Sequence, residues 1–157
     1  DINREMLAAG LDRALDRGNA AGPARVCGDA AALPLARASV DACTITFGLR
    51  NVTRRTAALA EMHRVLKTGG HFICLEFSPA VLPQLQSLYD TYSFTVLPWL
   101  GHRIAGDAHS YAYLAESIRK FPPPEQITAE MQDAGFGNVT QTPMSGGIVW
   151  MHSGWRI

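Results

Sequence analysis

The sequence predicts an α/β protein in which a largely parallel sheet alternates with helices and a helical insertion interrupts the second half. Three observations support this fold class. Apolar runs that suit buried strands alternate with helical patterns over residues 25–77. The run from Val40 to Phe47 is nearly continuous in apolar character, as expected of a parallel strand covered on both faces. The alternation stops over residues 78–121, which are rich in aromatic side chains, and returns at Pro124.

The first predicted elements are a helix and a short strand. Asn3 is a preferred N-cap residue, and the helix that it opens is expected to run to about Arg17. Four apolar residues fall on one face of that helix: Leu7, Leu11, Ala14 and Leu15. Residues 25–28 predict a short strand that leads into Asp29 and Ala30.

The central predicted unit is a strand, a helix and a second strand. The strand over residues 40–47 is followed by a helix for which Thr53 is the expected N-cap. This helix is expected to end at Lys67, just before the glycine pair Gly69-Gly70. A buried strand from His71 to Phe77 completes the βαβ unit of a parallel sheet.

The second half of the chain predicts more helices and a hairpin. Within the insertion, helical stretches are expected at residues 81–97 and 110–120. A further helix opens at Pro124 and ends at Gly135. Strands at residues 138–144 and 147–152, joined by a tight Ser-Gly-Gly turn, predict an antiparallel hairpin that closes the sheet.

Composition and cysteine spacing disfavour several classes of function. The 14 basic and 14 acidic side chains cancel and form no long block, so no nucleic-acid partner is predicted. Cys27, Cys43 and Cys74 lack the spacing of a zinc site, and no metal is predicted. They are expected to be buried, reduced thiols of a cytoplasmic protein. The longest apolar stretch, near Tyr92–Leu100, is shorter than the ~20 residues that cross a bilayer.

Polar residues at the predicted strand ends are the first candidates for a site, because ligands of open parallel sheets bind beyond the carboxyl ends of the strands. Asp1 suits a pair of hydrogen bonds from ribose hydroxyls, or it is a charge that favours the helix dipole. Asp29, beside the small Ala30, suits an adenine amino group, or it forms a simple Asx turn. The residues alone leave both alternatives open.

The segment from Phe47 to Val52 carries the strongest local signal of chemistry. It places an aromatic ring, a glycine, Arg50 and Asn51 where a buried strand is expected to meet the site. A guanidinium stays protonated in proteins, so it stabilises an oxyanion rather than acting as a base. The alternative is a surface arginine near the start of a helix.

Several longer motifs extend this pattern along the whole chain. They are Asp1–Asn3, Ala32–Pro34, Thr44–Val52, Arg64–Gly70 and Leu75–Ser78. Two further blocks, Tyr89–Pro98 and Ser110–Arg119, lie in the insertion. With these motifs the chain closely resembles the ubiquinone/menaquinone biosynthesis C-methyltransferase family of S-adenosylmethionine-dependent methyltransferases.

This resemblance implies a class I methyltransferase fold, a Rossmann-like sheet with a C-terminal antiparallel hairpin, and S-adenosyl-L-methionine as cofactor. It implies that Asp1 binds the ribose, that Asp29 and Ala30 contact adenine, and that Thr46 lies beside the methionine part of the cofactor. Many relatives have Asn at the position of Asp29, so a charge here replaces an amide.

The implied reaction is C-methylation of a polyprenyl benzoquinol or a demethylmenaquinol in ubiquinone or menaquinone biosynthesis. The resemblance places Arg50 and Asn51 at the reaction centre, where Arg50 stabilises the quinol oxyanion and Asn51 orients its hydroxyl. Aromatic residues of the insertion, including Tyr92 and Tyr113, are expected to line the substrate pocket. These two tyrosines and His109 are the candidates for a general base.

The family's glycine-rich cofactor loop and first two strands have no counterpart from Asp1 onward. Residues 1–157 are therefore expected to form a single, N-terminally incomplete methyltransferase domain lacking those strands, with a helical substrate cap at about 78–121. Such a chain is expected to expose an edge at the Ile45 strand and to bind cofactor weakly.

Expected partners are the polyprenyl quinol, a membrane surface touched peripherally by Val81–Leu100, and a homodimer or quinone-biosynthesis complex. Two alternatives remain: a methyltransferase acting on another small lipid or phenol, and a catalytically silent scaffold of a quinone-biosynthesis assembly.

Overall fold

The computed structural model describes residues 1–18, 23–79 and 108–157, which contain both helices and strands. The elements are α1 (Arg4–Asp16), β1 (Val40–Thr46), α2 (Arg55–Val65), β2 (Leu66–Phe77), α3 (Ala108–Lys120), α4 (Pro124–Asp133), β3 (Gly137–Met144) and β4 (Val149–Trp155). The predicted helix at 81–97 lies outside the described residues. The α/β fold class is confirmed.

The strands form a four-stranded sheet in the order β1-β2-β4-β3. β1 and β2 are parallel, whereas β4 is antiparallel to both of its neighbours, β2 and β3. The predicted C-terminal hairpin is therefore confirmed, and a 3-10 turn at Ser145–Gly147 joins its strands. Within the described residues β1 forms one edge of the sheet, as expected for the strand that contains Ile45.

The predicted βαβ unit is present, but its second strand begins earlier than expected. β2 starts at Leu66, directly after α2, rather than at His71. The pairing register with β1 shifts between Val40 and Ala42, so the first part of β2 bulges. Gly70 makes this bulge compact, because a Cβ at this position would lie 2.7 Å from a backbone carbonyl oxygen.

The core packs one face of the sheet against α2 and α4. Its buried members are Leu49, Ala58, Leu59, Met62, Leu66, Phe72, Cys74, Phe121, Ile127, Met131 and Phe136. The rings of Phe72 and Phe136 stack with their centroids 5.1 Å apart. The core buries Ala58, Leu59, Met62 and Val65 of α2, and Pro124, Ile127 and Met131 of α4.

Two of three predicted helix starts are confirmed. The Asn3 side chain accepts hydrogen bonds from two backbone N–H groups of the first turn of α1. Pro124 lies in the first turn of α4, and Gly135 follows the end of that helix with a φ of +100°. Thr53 is not an N-cap, because α2 begins after Arg54, which makes no side-chain capping bond. The chain is still in a turn at residues 53–54.

The expectation that β1 is covered on both faces is wrong for the described residues. Cys43 and Ile45 are half-buried against the core, while Ala42, Thr44 and Thr46 on the other face are exposed. Helix α1 likewise buries no residue, and Leu15 on its apolar face is 50% exposed. Leu7 and Ala14 on the same face of α1 are partly covered.

The segment around Val26 is extended but forms no strand. The Asp1 nitrogen donates to the Val26 carbonyl at 3.2 Å, and the Gly28 N–H donates to the Asp1 carbonyl at 3.0 Å. This is a single step of a parallel ladder, too short to define a strand. Cys27 is exposed rather than buried, whereas Cys74 is buried, which raises the pKa of its thiol to about 12.

Two negative observations apply to the described ranges 1–18, 23–79 and 108–157. None of their helices combines the length and the apolar character that a bilayer crossing requires. No group of three His, Cys, Asp or Glu side chains in these ranges is arranged to hold a metal ion.

Candidate functional site

A cavity of about 600 Å³ opens at the carboxyl end of β1. Asp1, Asp29, Ala30 and Thr46, the four residues predicted to bind cofactor, all line it, and so does Asn51. The volume lies within the ~300–1,000 Å³ of typical small-molecule sites. The structure therefore brings residues from four segments of the sequence to one cavity.

Asp1 lies both at the start of α1 and on the wall of the large cavity. Its Oδ1 accepts a hydrogen bond of 2.9 Å from the Asn3 N–H, at the N-terminal end of α1. The same residue is exposed on the cavity wall. The backbone pairing of Asp1 with Val26 and Gly28 holds it there.

Asp29 forms the Asx turn that the sequence left as an alternative. Its Oδ1 accepts from the Ala31 N–H at 2.8 Å, and its carbonyl accepts from the Ala32 N–H at 3.0 Å. Its Oδ2 lies 3.0 Å from Nη2 of Arg54. The hydrogen bond from Ala31 and then that from Arg54 lower the pKa of Asp29. The turn also places Ala30 on the cavity wall.

Arg54 is a lining residue that the sequence analysis missed. Its ion pair with Asp29 is largely solvent-exposed, so its contribution to stability is small. It nevertheless joins two walls of the cavity, the 29–32 turn and the start of α2. The sequence did carry a signal for this pair. Arg54 lies at the start of a predicted helix, where a positive charge is unfavourable next to the helix dipole, and an anionic partner would offset that cost.

The loop after β1 begins at a residue with strained backbone. Phe47 has a φ of +53°, and its ring stacks on Phe77 with centroids 4.4 Å apart. Leu49 is fully buried and anchors the 3-10 turn that carries Arg50 and Asn51. Strain of this kind costs about 1–3 kcal/mol and persists where surrounding contacts fix the conformation. The positions of Arg50 and Asn51 are therefore fixed from both ends.

Arg50 is buried in an ion pair with Glu76, so the alternative of a surface arginine is wrong. Arg50 Nη1 lies 2.8 Å from Glu76 Oε1, and the two side chains are 11% and 1% exposed. Arg50 Nη1 also donates to the Phe47 carbonyl. The guanidinium lies 5.7 Å from the centre of the Phe77 ring.

Glu76 is the second residue to which the sequence analysis assigned no role. It stands alone as a carboxylate in the apolar run Phe72–Phe77. A charge buried in such a strand requires a partner of opposite charge, and this requirement was the available signal. The identity of the partner depends on the pairing of β1 with β2, which puts the loop after β1 beside the end of β2.

Tyr113 and Asn51 are in contact. The Tyr113 hydroxyl donates a hydrogen bond of 3.1 Å to Asn51 Oδ1. A second cavity, of about 170 Å³, is lined by Arg50 and Tyr113 together with other residues of α2 and α3. The 3-10 turn thus contributes Asn51 to the large cavity and Arg50 to the small one. Tyr92 lies outside the described residues, as does the His109 side chain.

Two curated proteins match this chain along its whole length. The 2-methoxy-6-polyprenyl-1,4-benzoquinol methylase, mitochondrial, of Rattus norvegicus is 54% identical over 157 residues, which is 100% of this chain and 48% of that protein. The ubiquinone/menaquinone biosynthesis C-methyltransferase UbiE of Methylobacterium nodulans is 53% identical over 157 residues, 100% of this chain and 62% of that protein. The chain therefore spans about half to three-fifths of the length of these relatives.

A solved structure supports the fold. The crystal structure of a SAM-dependent methyltransferase from Aquifex aeolicus superposes with a TM-score of 0.63 at 15% identity, covering 100% of this chain and 66% of that chain. The predicted class I methyltransferase fold is thereby confirmed. The ubiE/COQ5 methyltransferase family matches residues 1–156, which also confirms the predicted resemblance. The chain belongs to the ubiE/COQ5 methyltransferase family.

Proposed function

We propose that the protein that carries this chain transfers a methyl group from S-adenosylmethionine to a ring carbon of a polyprenyl benzoquinol or a demethylmenaquinol. Family membership supports the reaction type, and the names of the relatives support the substrate class and the pathway of ubiquinone or menaquinone biosynthesis. The observation that carries the proposal is the 3-10 turn, which contributes Asn51 to the large cavity and Arg50 to the small one.

The large cavity fits the cofactor in size and chemistry. The carboxylates of Asp1 and Asp29 are suitable acceptors for ribose hydroxyls and an adenine amino group. Apolar lining from Leu33, Val52 and Met62 suits the adenine ring. When bound, S-adenosylmethionine supplies an electrophilic methyl group, which leaves the sulfur as the quinol ring carbon bonds to it.

The residues of the turn then act on the quinol. Its ring carbon becomes nucleophilic as a ring hydroxyl releases its proton to solvent, and Arg50 stabilises the resulting oxyanion. After the methyl group has bonded, the hydrogen of that ring carbon leaves as a proton and returns to the oxyanion, which restores the aromatic quinol. Because Asn51 Oδ1 accepts from Tyr113, its amide nitrogen is left to donate to the quinol. Tyr113 therefore supports Asn51 from the insertion side, and Thr46 lines the cofactor side.

The proposal is tested in the natural full-length protein with labelled S-adenosylmethionine and a short-tailed demethylated quinol kept reduced. We expect a methylated quinol from the wild type and its loss in Arg50→Ala, with S-adenosylhomocysteine binding retained as evidence of folding. Cofactor binding without product would contradict the quinol substrate and favour another lipid or phenol. Absence of cofactor binding by the wild type would favour the scaffold alternative.

The wider assembly stays a prediction. A long isoprenoid tail remains in the bilayer, so we infer that the active protein contacts the membrane surface. The segment predicted to make this contact, Val81–Leu100, lies outside the described residues. Flotation of the full-length protein with liposomes is expected, and its retention in the unbound fraction would contradict the membrane contact. Sedimentation at several protein concentrations tests the homodimer.

A further inference from the structure

The Glu76 carboxylate binds both the backbone and the side chain of Arg50. Glu76 Oε2 accepts from the Arg50 N–H at 3.2 Å, while Oε1 lies 2.8 Å from Arg50 Nη1. Oε1 also accepts from the Phe77 N–H at 3.0 Å, which ties the carboxylate to its own strand. The side chain is 1% exposed, so water does not compete for these bonds. One carboxylate therefore sets where the turn lies and how the guanidinium is oriented.

Two nitrogens of the Arg50 guanidinium differ in their hydrogen bonding. Arg50 Nη1 donates both to Glu76 and to the Phe47 carbonyl. Arg50 Nε, in contrast, is buried and has no hydrogen-bond partner in the described part of the chain. A buried donor without a partner is costly and indicates that something else supplies the acceptor. Arg50 lines the small cavity beside Tyr113.

We propose that Glu76 is the positioning residue of the methyl-transfer site, and this inference rests on the proposed function. By holding Nη1, Glu76 fixes the guanidinium at the wall of the small cavity, where it meets the quinol oxygen. Its negative charge also balances Arg50 before the oxyanion forms. The oxyanion then meets a cation that is already oriented, which is the condition under which electrostatic stabilisation is most effective.

The test compares variants of the natural full-length protein at Glu76, at Arg50 and at a control position. Glu76→Gln keeps the side-chain size but removes the charge that orients Arg50, and Glu76→Asp keeps the charge. Asp41→Asn is the control, because Asp41 forms an ion pair with Lys67, 2.8 Å from Oδ1 to Nζ, and neither residue lines a cavity described above. Reduced short-tailed quinol and S-adenosylmethionine are the substrates, and S-adenosylhomocysteine affinity reports folding.

We expect kcat of Glu76→Gln to fall on the order of 100-fold, the loss typical of a displaced oxyanion donor. KM for S-adenosylmethionine should stay within about threefold of the wild type, because Glu76 does not line the large cavity. Asp41→Asn should keep kcat within about threefold, because neither Asp41 nor Lys67 lines either cavity. The kcat of Glu76→Asp should be at least about tenfold higher than that of Glu76→Gln, since a carboxylate again faces Arg50. In an Arg50→Met background, adding Glu76→Gln should change kcat less than about twofold, since Glu76 acts through Arg50.

Each outcome decides the matter. Wild-type kcat in Glu76→Gln, an equal loss in Asp41→Asn, or a further large loss on Arg50→Met would overturn the positioning role while leaving the proposed function intact. An inactive wild type would overturn the proposed function and this inference together. If Glu76→Gln does not fold, Glu76→Asp decides: reduced kcat at wild-type S-adenosylhomocysteine affinity supports the role, and wild-type kcat overturns it.

Discussion

Tyr113 and Asn51 lie 62 residues apart in the sequence, and the Tyr113 hydroxyl donates a hydrogen bond of 3.1 Å to Asn51 Oδ1. This bond attaches α3, which belongs to the insertion, to the turn that carries the candidate catalytic residues. The same helix lines the small cavity with Tyr113 and Ser117. The insertion and the parallel sheet therefore meet at Asn51.

The first prediction concerns this bond. Tyr113→Phe removes the donor and frees the Asn51 amide to rotate, while the ring stays in place. We expect kcat/KM for the quinol to fall about two- to tenfold, corresponding to the ~0.5–1.5 kcal/mol of one hydrogen bond. S-adenosylhomocysteine affinity, measured by calorimetry, should not change, because Tyr113 does not line the large cavity. Unchanged quinol kinetics would contradict a role for the bond.

The second prediction concerns the charge at Asp29. An Asn side chain retains the oxygen that accepts from Ala31, so we expect Asp29→Asn to bind S-adenosylhomocysteine within a few-fold of the wild type, about the effect of one hydrogen bond. Asp29→Ala loses both the Asx turn and the acceptor, and its affinity should fall by at least about tenfold. Equal affinities for Asp29→Ala and the wild type would remove Asp29 from the site.

The pH dependence of Asp29 has a defined sign. Its pKa is lowered from the ordinary 3.8 by the hydrogen bond from Ala31 and then by Arg54. Contacts of the ionised carboxylate are therefore fully present above this ordinary value and are lost as the pH falls through the lower, folded-state value. Titration of Asp29 should not alter S-adenosylhomocysteine affinity between about pH 5 and pH 8. A change in this range that disappears in Asp29→Asn would contradict the assignment.

The third prediction concerns His152, which is 1% exposed in the middle of the sheet. Burial lowers its pKa from 6.5 to about 4, and only Glu125 acts in the opposite direction. As the pH falls, the unfolded chain binds a proton at His152 before the folded chain does. The contribution of the neutral, buried His152 to the free energy of unfolding is therefore complete above about pH 6.5. It is lost as the pH falls toward 4, by about 1.4 kcal/mol per pH unit.

Urea unfolding of the full-length protein between these pH values measures the slope directly. In His152→Gln the slope should be shallower by the part that His152 contributes, although the variant is less stable at pH 7. His63, whose pKa burial also lowers, contributes in the same direction, so some slope should remain. An identical slope in wild type and His152→Gln would show that His152 takes up its proton in the folded state.

The fourth prediction separates backbone strain from a steric clash. Gly135 has a φ of +100°, and a Cβ there would lie 3.2 Å from the His63 ring. Gly69 also has a positive φ, +78°, but open space around the Cβ position. Backbone strain should lower the free energy of unfolding of both alanine variants by about 1 kcal/mol. Gly135→Ala should lose at least about 1 kcal/mol more, because its Cβ displaces the His63 ring. Equal losses in unfolding experiments would mean that the ring moves away freely.

Where one segment contains the information, the sequence predicted which residues lie near one another. Phe47–Val52 follows a recognisable strand, and the carboxyl ends of parallel strands converge, so Arg50, Asn51 and Thr46 could be expected near one another. The resemblance added Asp1, Asp29 and Ala30, and these residues line the same cavity as Thr46 and Asn51. Their individual roles remain predictions until the binding measurements are made.

The sequence did not predict features that depend on contacts between distant segments. Glu76 and Arg50 come into contact only when β1 pairs with β2. Arg54 and Asp29 come into contact only when the loop that follows β1 folds against the 29–32 turn. Cys27 lies in an apolar stretch, yet burial depends on what packs over that stretch, and no described residue covers it. The Thr53 cap failed for a local reason, because the turn at residues 53–54 delays the start of α2.

The most direct test of the account is where the transferred methyl group ends. The full-length wild-type protein is incubated with methyl-labelled S-adenosylmethionine and the reduced demethylated quinol, and NMR of the purified product locates the label. The account predicts a label on a ring carbon, formed beside the oxyanion that Arg50 stabilises. A label on a quinol oxygen, or no label in the quinol from a protein that binds the cofactor, would contradict it.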